Sequence, residues 1–213
     1  MELDYEENLY TPKKYKSDFS FQCRFIGNYL KRHVKAFNFE PTGYNRLFIS
    51  ACQSAVAPNS IFENTLRVPV PFDGSKYDKL RKDELPDFFI ELYIAGINKA
   101  SQTHEIPVKF LLAKLEDLKE NNYENKWEFK SRLFKEIGIR AILNCQMTMD
   151  FFSLILTLMK KDEVIFSKEI LNTLPDEIIY HWQFKEIVLE GNFIKVLDEF
   201  QKPIYTLDLT FKV

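Results

Sequence analysis

Glycine is scarce in this sequence. Six occur in 213 residues, against about fifteen at the average usage of ~7%. Phosphate-cradling loops need glycine so that backbone N–H groups can close on the ligand, and neither Gly-x-Gly-x-x-Gly nor the P-loop pattern is present. Cysteine is also scarce. Cys23, Cys52 and Cys145 are odd in number, far apart and set in apolar or strand-like stretches. That argues against a disulfide framework and for buried free thiols in a reducing cytoplasm. No long hydrophobic run exists. Phe151 to Met159 is the longest, nine residues that include Ser153 and Thr157, too short to cross a bilayer as a helix. The acidic opening, Met1-Glu2-Leu3-Asp4-Tyr5-Glu6-Glu7, has no apolar signal-peptide core. Net charge is low as well, with 29 Lys and Arg facing 31 Asp and Glu, so the overall basicity of a nucleic-acid binder is missing.

What the sequence does have is aromatic bulk, 20 Phe, 10 Tyr and 2 Trp, which with 46% hydrophobic residues excludes a wholly disordered chain. Its charge is segregated. Residues 13–46 hold eight Lys and Arg against two acidic residues, and residues 162–213 hold five Lys against ten Asp and Glu. Such asymmetry marks either two solvated faces or charged docking surfaces.

Residues 1–17 read as a charged arm and residues 18–213 as a single α+β domain. Phe19, Phe21, Cys23 and Phe25 alternate with polar residues as a half-buried strand does, and Gly27 stands where the phase slips, as at a bulge. Leu47 to Cys52 reads as a buried strand and Gln53 to Asn64 as loop. Leu66 to Phe72 alternates too, but Pro69 and Pro71 mark an edge strand or connector. Pro86 and Pro107 open two helices, whose stripes are Phe88, Phe89, Leu92, Tyr93 and Ala100, then Val108, Leu111, Leu112, Leu115 and Leu118. Gly96 inside the first of them marks close packing. The rest is β: alternation from Ile139 to Met149, its return from Phe152 to Leu158, a turn at residues 160–163, a strand from Val164 to Leu171, an aromatic strand face at Tyr180, Trp182 and Phe184, a tight hairpin at Glu190-Gly191-Asn192, and a last strand through Tyr205 and Leu207. Strands, a helical pair and a long meander predict a mostly antiparallel, curved sheet. The N-terminal strands complete that sheet in this reading, and the helical hairpin packs on one face.

Chemistry is hard to place. Nucleophilic catalysis needs a nucleophile and a base within reach, and only His33, His104 and His181 can supply an imidazole. His181 is the best general-base candidate, because Asp176, Glu177 and Glu186 are near it in sequence. No Gly-x-Ser-x-Gly elbow, CxxC or HExxH motif accompanies any of them, so no metal or cofactor is expected. Phe19, Phe21 and Phe25 with Arg24, Lys31 and Arg32 could stack bases and track phosphates, but alternation makes those phenylalanines core, and nucleic acid is disfavoured as a partner. Asp176, Glu177, Glu186, Glu190, Asp198 and Glu199 form the candidate partner-binding set, suited to a basic protein surface.

The tract Asn122-Tyr123-Glu124-Asn125-Lys126-Trp127, the meander from Gly138 and the acidic C-terminal hairpins resemble bacterial toxin-immunity proteins. That resemblance implies a cytoplasmic protein with no active site, which neutralises a cognate toxin by direct stoichiometric binding. Two alternatives stand beside it: a hydrolase-type enzyme with its site around His181, and a curved sheet that encloses a small apolar ligand.

Overall fold

The computed structural model describes residues 1–5, 16–52 and 57–210. The chain divides into two compact units, Met1–Asn125 and Lys126–Val213. The boundary falls inside the 18–213 stretch, where no composition shift marks it.

The N-terminal unit contains β1 (Glu2–Tyr5), α1 (Lys16–Phe37), β2 (Arg46–Cys52), β3 (Ser60–Phe62), β4 (Thr65–Pro71), α2 (Gly74–Tyr77), a 3-10 turn at Lys82–Glu84, α3 (Leu85–Ser101) and α4 (Val108–Glu120). The strand expected through Phe19–Phe25 is the first half of α1. The same residues carry a second period: Phe19, Cys23, Ile26 and Leu30, spaced by four, three and four, are each fully buried, and that stripe fits a helix. Residues 2–5 of the expected arm form β1, paired in parallel with β2 from Glu2↔Phe48 to Tyr5↔Ala51. Residues 6–15 of that arm lie outside the described residues. A helix between two parallel neighbouring strands is the connection that parallel pairing requires.

The sheet order is β1-β2-β4-β3. These strands therefore form a sheet of their own and do not complete the C-terminal one. β2 and β4 are parallel, while β3 returns antiparallel along β4. Part of the expected 53–64 loop is thus strand; residues 53–56 lie outside the described residues. β4 is an interior strand despite its prolines. Its pairing with β3 covers only Thr65 to Arg67, so Pro69 and Pro71 fall past the end of β3, where no ladder donor is needed on that side. The Lys99 ammonium serves that open side, donating to the carbonyls of Pro69 (2.8 Å) and Ala57 (2.7 Å).

Two helical glycines are there for want of a side chain. A Cβ on Gly96 would lie 2.5 Å from Cδ1 of the buried Ile49, so α3 sits hard against β2. A Cβ on Gly27 would lie 2.7 Å from the Tyr93 hydroxyl and 2.9 Å from the Met1 carbonyl oxygen. Gly27 marks a crowded face of α1, not a bulge. A buried polar knot closes the unit. The Asn125 amide, 1% exposed, donates to the Phe25 carbonyl (2.8 Å) and to Asn28 Oδ1 (3.1 Å), and its oxygen accepts from the Arg32 guanidinium.

The C-terminal unit is almost all antiparallel. β5 (Lys126–Phe134), β6 (Ile139–Met147), β7 (Phe152–Lys160) and β8 (Glu163–Thr173) form one meander, and β9 (Glu186–Glu190), β10 (Phe193–Leu197) and β11 (Pro203–Asp208) a second. The β6–β7 register runs from Ile139↔Lys160 to Met147↔Phe152. It brings Ile139, Ala141, Leu143, Cys145 and Met147 onto one buried face with Phe152, Leu154, Leu156 and Leu158. α5 (Glu177–Tyr180) replaces the aromatic strand expected at Tyr180–Phe184. One turn of helix and the bend after it send Tyr180 and Phe184 inward: Tyr180 stacks on Phe152 with ring centroids 3.6 Å apart, and Phe184 lies 5.6 Å from Phe152. Lys130 and Arg132 of β5 donate to the carbonyls of Lys185 (3.0 Å) and Ile187 (2.9 Å), stapling the two meanders together. With helices against one sheet and two antiparallel meanders, the fold class is α+β.

Candidate binding surface

The three histidines are not assembled into a site. The Nδ1 of each is engaged by an oxygen close by in sequence: the Tyr29 carbonyl for His33 (2.9 Å), the Thr103 hydroxyl for His104 (2.8 Å) and the Glu177 carbonyl for His181 (2.7 Å). His33 lies in α1, not in a strand-like run, and its ring packs 4.2 Å from that of Tyr29. His104 lies beyond the end of α3, its ring edge-on to Tyr44. His181 is exposed at the C-terminal end of α5. Phe19 and Phe25 are buried, at 0% and 1% exposure, so they are core and offer no stacking platform. Among the described residues, no three Cys, His, Asp or Glu side chains come together as a metal site, and no helix is long and apolar enough to cross a membrane. Cys23 and Cys145 are buried free thiols, and Cys52 is half-buried.

The acidic set divides into three kinds. Asp176 and Asp198 are buried. Asp176 caps α5, accepting from the Ile178 N–H (3.0 Å). Asp198 accepts from the N–H groups of Phe200 and Lys202, both at 2.8 Å. Both carboxylates therefore hold local turns, the role that short acidic side chains take when they satisfy nearby backbone donors. Glu186 and Glu190 are each paired, with Arg132 (3.5 Å) and with Lys195. Glu199 is exposed and Glu177 half-buried.

The turns that Asp176 and Asp198 hold place a different group of side chains in solvent. Ile178, Trp182 and Phe200 are 73%, 41% and 67% exposed. Backbone bonds lace the two turns: the Lys185 N–H donates to the Leu197 carbonyl (2.7 Å) and the Glu199 N–H to the Trp182 carbonyl (3.0 Å). The Trp182 and Phe200 rings end 6.4 Å apart. Scattered exposed apolar residues need no explanation, but a neighbouring Trp–Phe pair on rigid turns is the kind of anchor that protein interfaces use. Sequence reasoning missed this surface, because Trp182 read as one face of a strand. The signal lay in Asp176 and Asp198, each two residues before an exposed apolar side chain whose backbone it fixes.

The N-terminal unit holds a concavity about 430 Å³ in volume. Lys31, Val34 and Lys35 of α1, with Asn38 just past its end, help to line it. Leu47 and Ile106 also line it. The Tyr44 ring is buried there, its hydroxyl donating to the Glu105 carbonyl (3.1 Å). Burial, and the Glu105 charge behind it, push the Tyr44 phenol above its ordinary pKa.

The α+β class is as far as the fold itself identifies the chain: no protein-family model, curated protein or solved structure matches it.

Proposed function

We propose that the protein is a non-catalytic binding protein of the toxin-immunity kind, docking a toxin domain through the Ile178, Trp182 and Phe200 surface. The observation that carries this reading is the exposed Trp182–Phe200 pair, held on turns whose buried aspartates fix the backbone. A surface of this kind engages without large rearrangement, and so loses little conformational freedom on binding. The toxin class rests on the resemblance of the 122–127 tract and the C-terminal hairpins. Of the acidic residues first assigned to the partner, Glu199 is the exposed one placed beside Trp182 by a backbone bond, and it suits a basic rim on the partner. Asp176 and Asp198 act one step back, by holding the turns.

The test is co-expression with the toxin-like product of the neighbouring reading frame, followed by gel filtration and a toxicity assay. One-to-one co-elution and loss of toxicity are expected. The Trp182→Ala/Phe200→Ala variant should weaken the complex by about thirtyfold or more, the scale of ~2 kcal/mol for an interface anchor, with its circular dichroism spectrum unchanged. A complex that survives the double substitution at full affinity removes this surface from the reading. The absence of any complex with that product removes the toxin assignment.

A further inference from the structure

The concavity of the N-terminal unit has features of a ligand site that the surface-docking reading does not use. At about 430 Å³ it falls within the 300–1,000 Å³ range of small-molecule pockets. It is roughly three times the ~150 Å³ in which a buried apolar cavity holds one benzene. Its apolar lining comes from several parts of the chain. Val34 lies in α1, Phe39 and Tyr44 in the loop after it, Leu47 in β2, and Ile106 between α3 and α4. Tyr44 and Leu47 are buried, and Val34, Phe39 and Ile106 half-buried. Polar hydrogens in the lining are engaged within the protein. The Tyr44 hydroxyl donates to the Glu105 carbonyl (3.1 Å). The N–H groups of Asn38, Asn45 and Leu111 donate to the carbonyls of Lys35 (3.3 Å), Asn64 (2.9 Å) and Pro107 (3.0 Å). Pro41 and Pro107 line it too and have no N–H to offer. Lys31, Lys35 and Glu40 also line it, but all three are exposed, so their charges stay in water while the stems add apolar surface.

Water is held firmly only where it finds several polar partners, and an apolar group that displaces loosely held water gains affinity. We propose that this concavity binds a small neutral apolar molecule, a fused ring pair or a chain of about ten carbons, recognised by shape and apolar area. Its body lies against Val34, Leu47 and Ile106, and an acid group on it adds nothing. The site belongs to the N-terminal unit alone and stands whether or not the C-terminal surface docks a toxin.

The test uses the full chain and three probes, indole, octanol and octanoate, followed by NMR of isotope-labelled protein. At least one of the two neutral probes should saturate a single site, with shifts centred on Val34, Leu47 and Ile106. Octanoate should bind no more tightly than octanol. Lys31→Gln/Lys35→Gln should leave binding of the neutral probe within threefold. Val34→Phe, which puts a ring into the space, should weaken it by tenfold or more; thermal melts establish that both variants fold. The proposal is overturned if neither neutral probe saturates by about 1 mM, the weak end of specific binding. It is equally overturned if the shifts lie elsewhere, if octanoate binds more tightly than octanol, or if the lysine pair proves necessary. The shift map on the unaltered protein decides the matter even if Val34→Phe does not fold.

Discussion

The two units reach compactness by opposite means. In the N-terminal unit, helices press on a small sheet with parallel pairing, and close approaches are made where a side chain is missing, at Gly96 over Ile49 and at Gly27 under Tyr93. In the C-terminal unit, antiparallel ladders carry alternating side chains onto one face, and an aromatic stack, Phe152 on Tyr180, fills the space against it. Its glycines have a different office: Gly191 stands at φ +58° in the β9–β10 turn, with open space where a Cβ would be. One unit is therefore sensitive to added volume and the other to removed volume.

The two also answer to different probes. Both tryptophans, Trp127 and Trp182, belong to the C-terminal unit, whereas α1, α3 and α4 all belong to the N-terminal one. Tryptophan fluorescence and helical circular dichroism thus follow separate halves of the chain during urea denaturation. Phe152→Ala should have the largest effect. It removes a fully buried ring at the centre of the aromatic stack, a change that costs about 3–5 kcal/mol, and it should move the fluorescence midpoint far more than the circular dichroism midpoint. Gly96→Ala should do the reverse. The new methyl forces Ile49 to shift, and overpacking of a filled core costs about 1–3 kcal/mol, offset by up to ~1 kcal/mol of helix propensity. If both probes shift together in both variants, the units unfold as one and the contrast between them is structural only.

The contrast also explains what could be read from the sequence. β6 and β7 were legible because one face is buried and the other is not, so period two survives in the residue types. α3 and α4 were legible because Pro86 and Pro107 mark their starts and their apolar stripes are long. α1 was not, because Phe19, Phe21, Cys23 and Phe25 alternate while Phe19, Cys23, Ile26 and Leu30 repeat at helical spacing; packing against the sheet decides between the two periods. β5 was invisible, since only Phe134 in it is buried, leaving no pattern to read. The candidate surface was hidden for a related reason. Asp176 and Asp198 carry the composition of a solvated acidic face, and only coordinates reveal that they are turn staples and that Trp182 and Phe200 point outward.

Smaller substitutions sharpen the comparison further. Asn125→Ala deprives the Phe25 carbonyl and Asn28 Oδ1 of a buried donor, which should destabilise the N-terminal unit by about 1–3 kcal/mol and leave the fluorescence midpoint in place. The mildest effect is expected from acid. The Asp87 carboxylate accepts from Lys119 (2.8 Å) and from the Tyr123 hydroxyl (2.8 Å), and the Lys119 ammonium above all holds its pKa below the ordinary aspartate value. Because the folded pKa is depressed, this contribution is fully present above the ordinary pKa of ~3.9 and is lost as pH falls through the folded value. Helical melts between about pH 5 and pH 2 should show it as a small extra loss that Asp87→Asn removes. The side chains are half exposed, so salt should shrink the difference.

The Asn125 knot also bears on the order of events during synthesis. Its bond to the Phe25 carbonyl joins positions 100 residues apart, so the contact that secures α1 is carried by the last residue of its own unit. Contacts of such sequence separation form late, and on the ribosome this one must wait until residue 125 has emerged. The hairpins that follow need only their immediate neighbours. A force-sensing arrest sequence fused at successive lengths should therefore register the N-terminal unit as a single late step once Asn125 clears the exit tunnel, and the meander as a series of small ones.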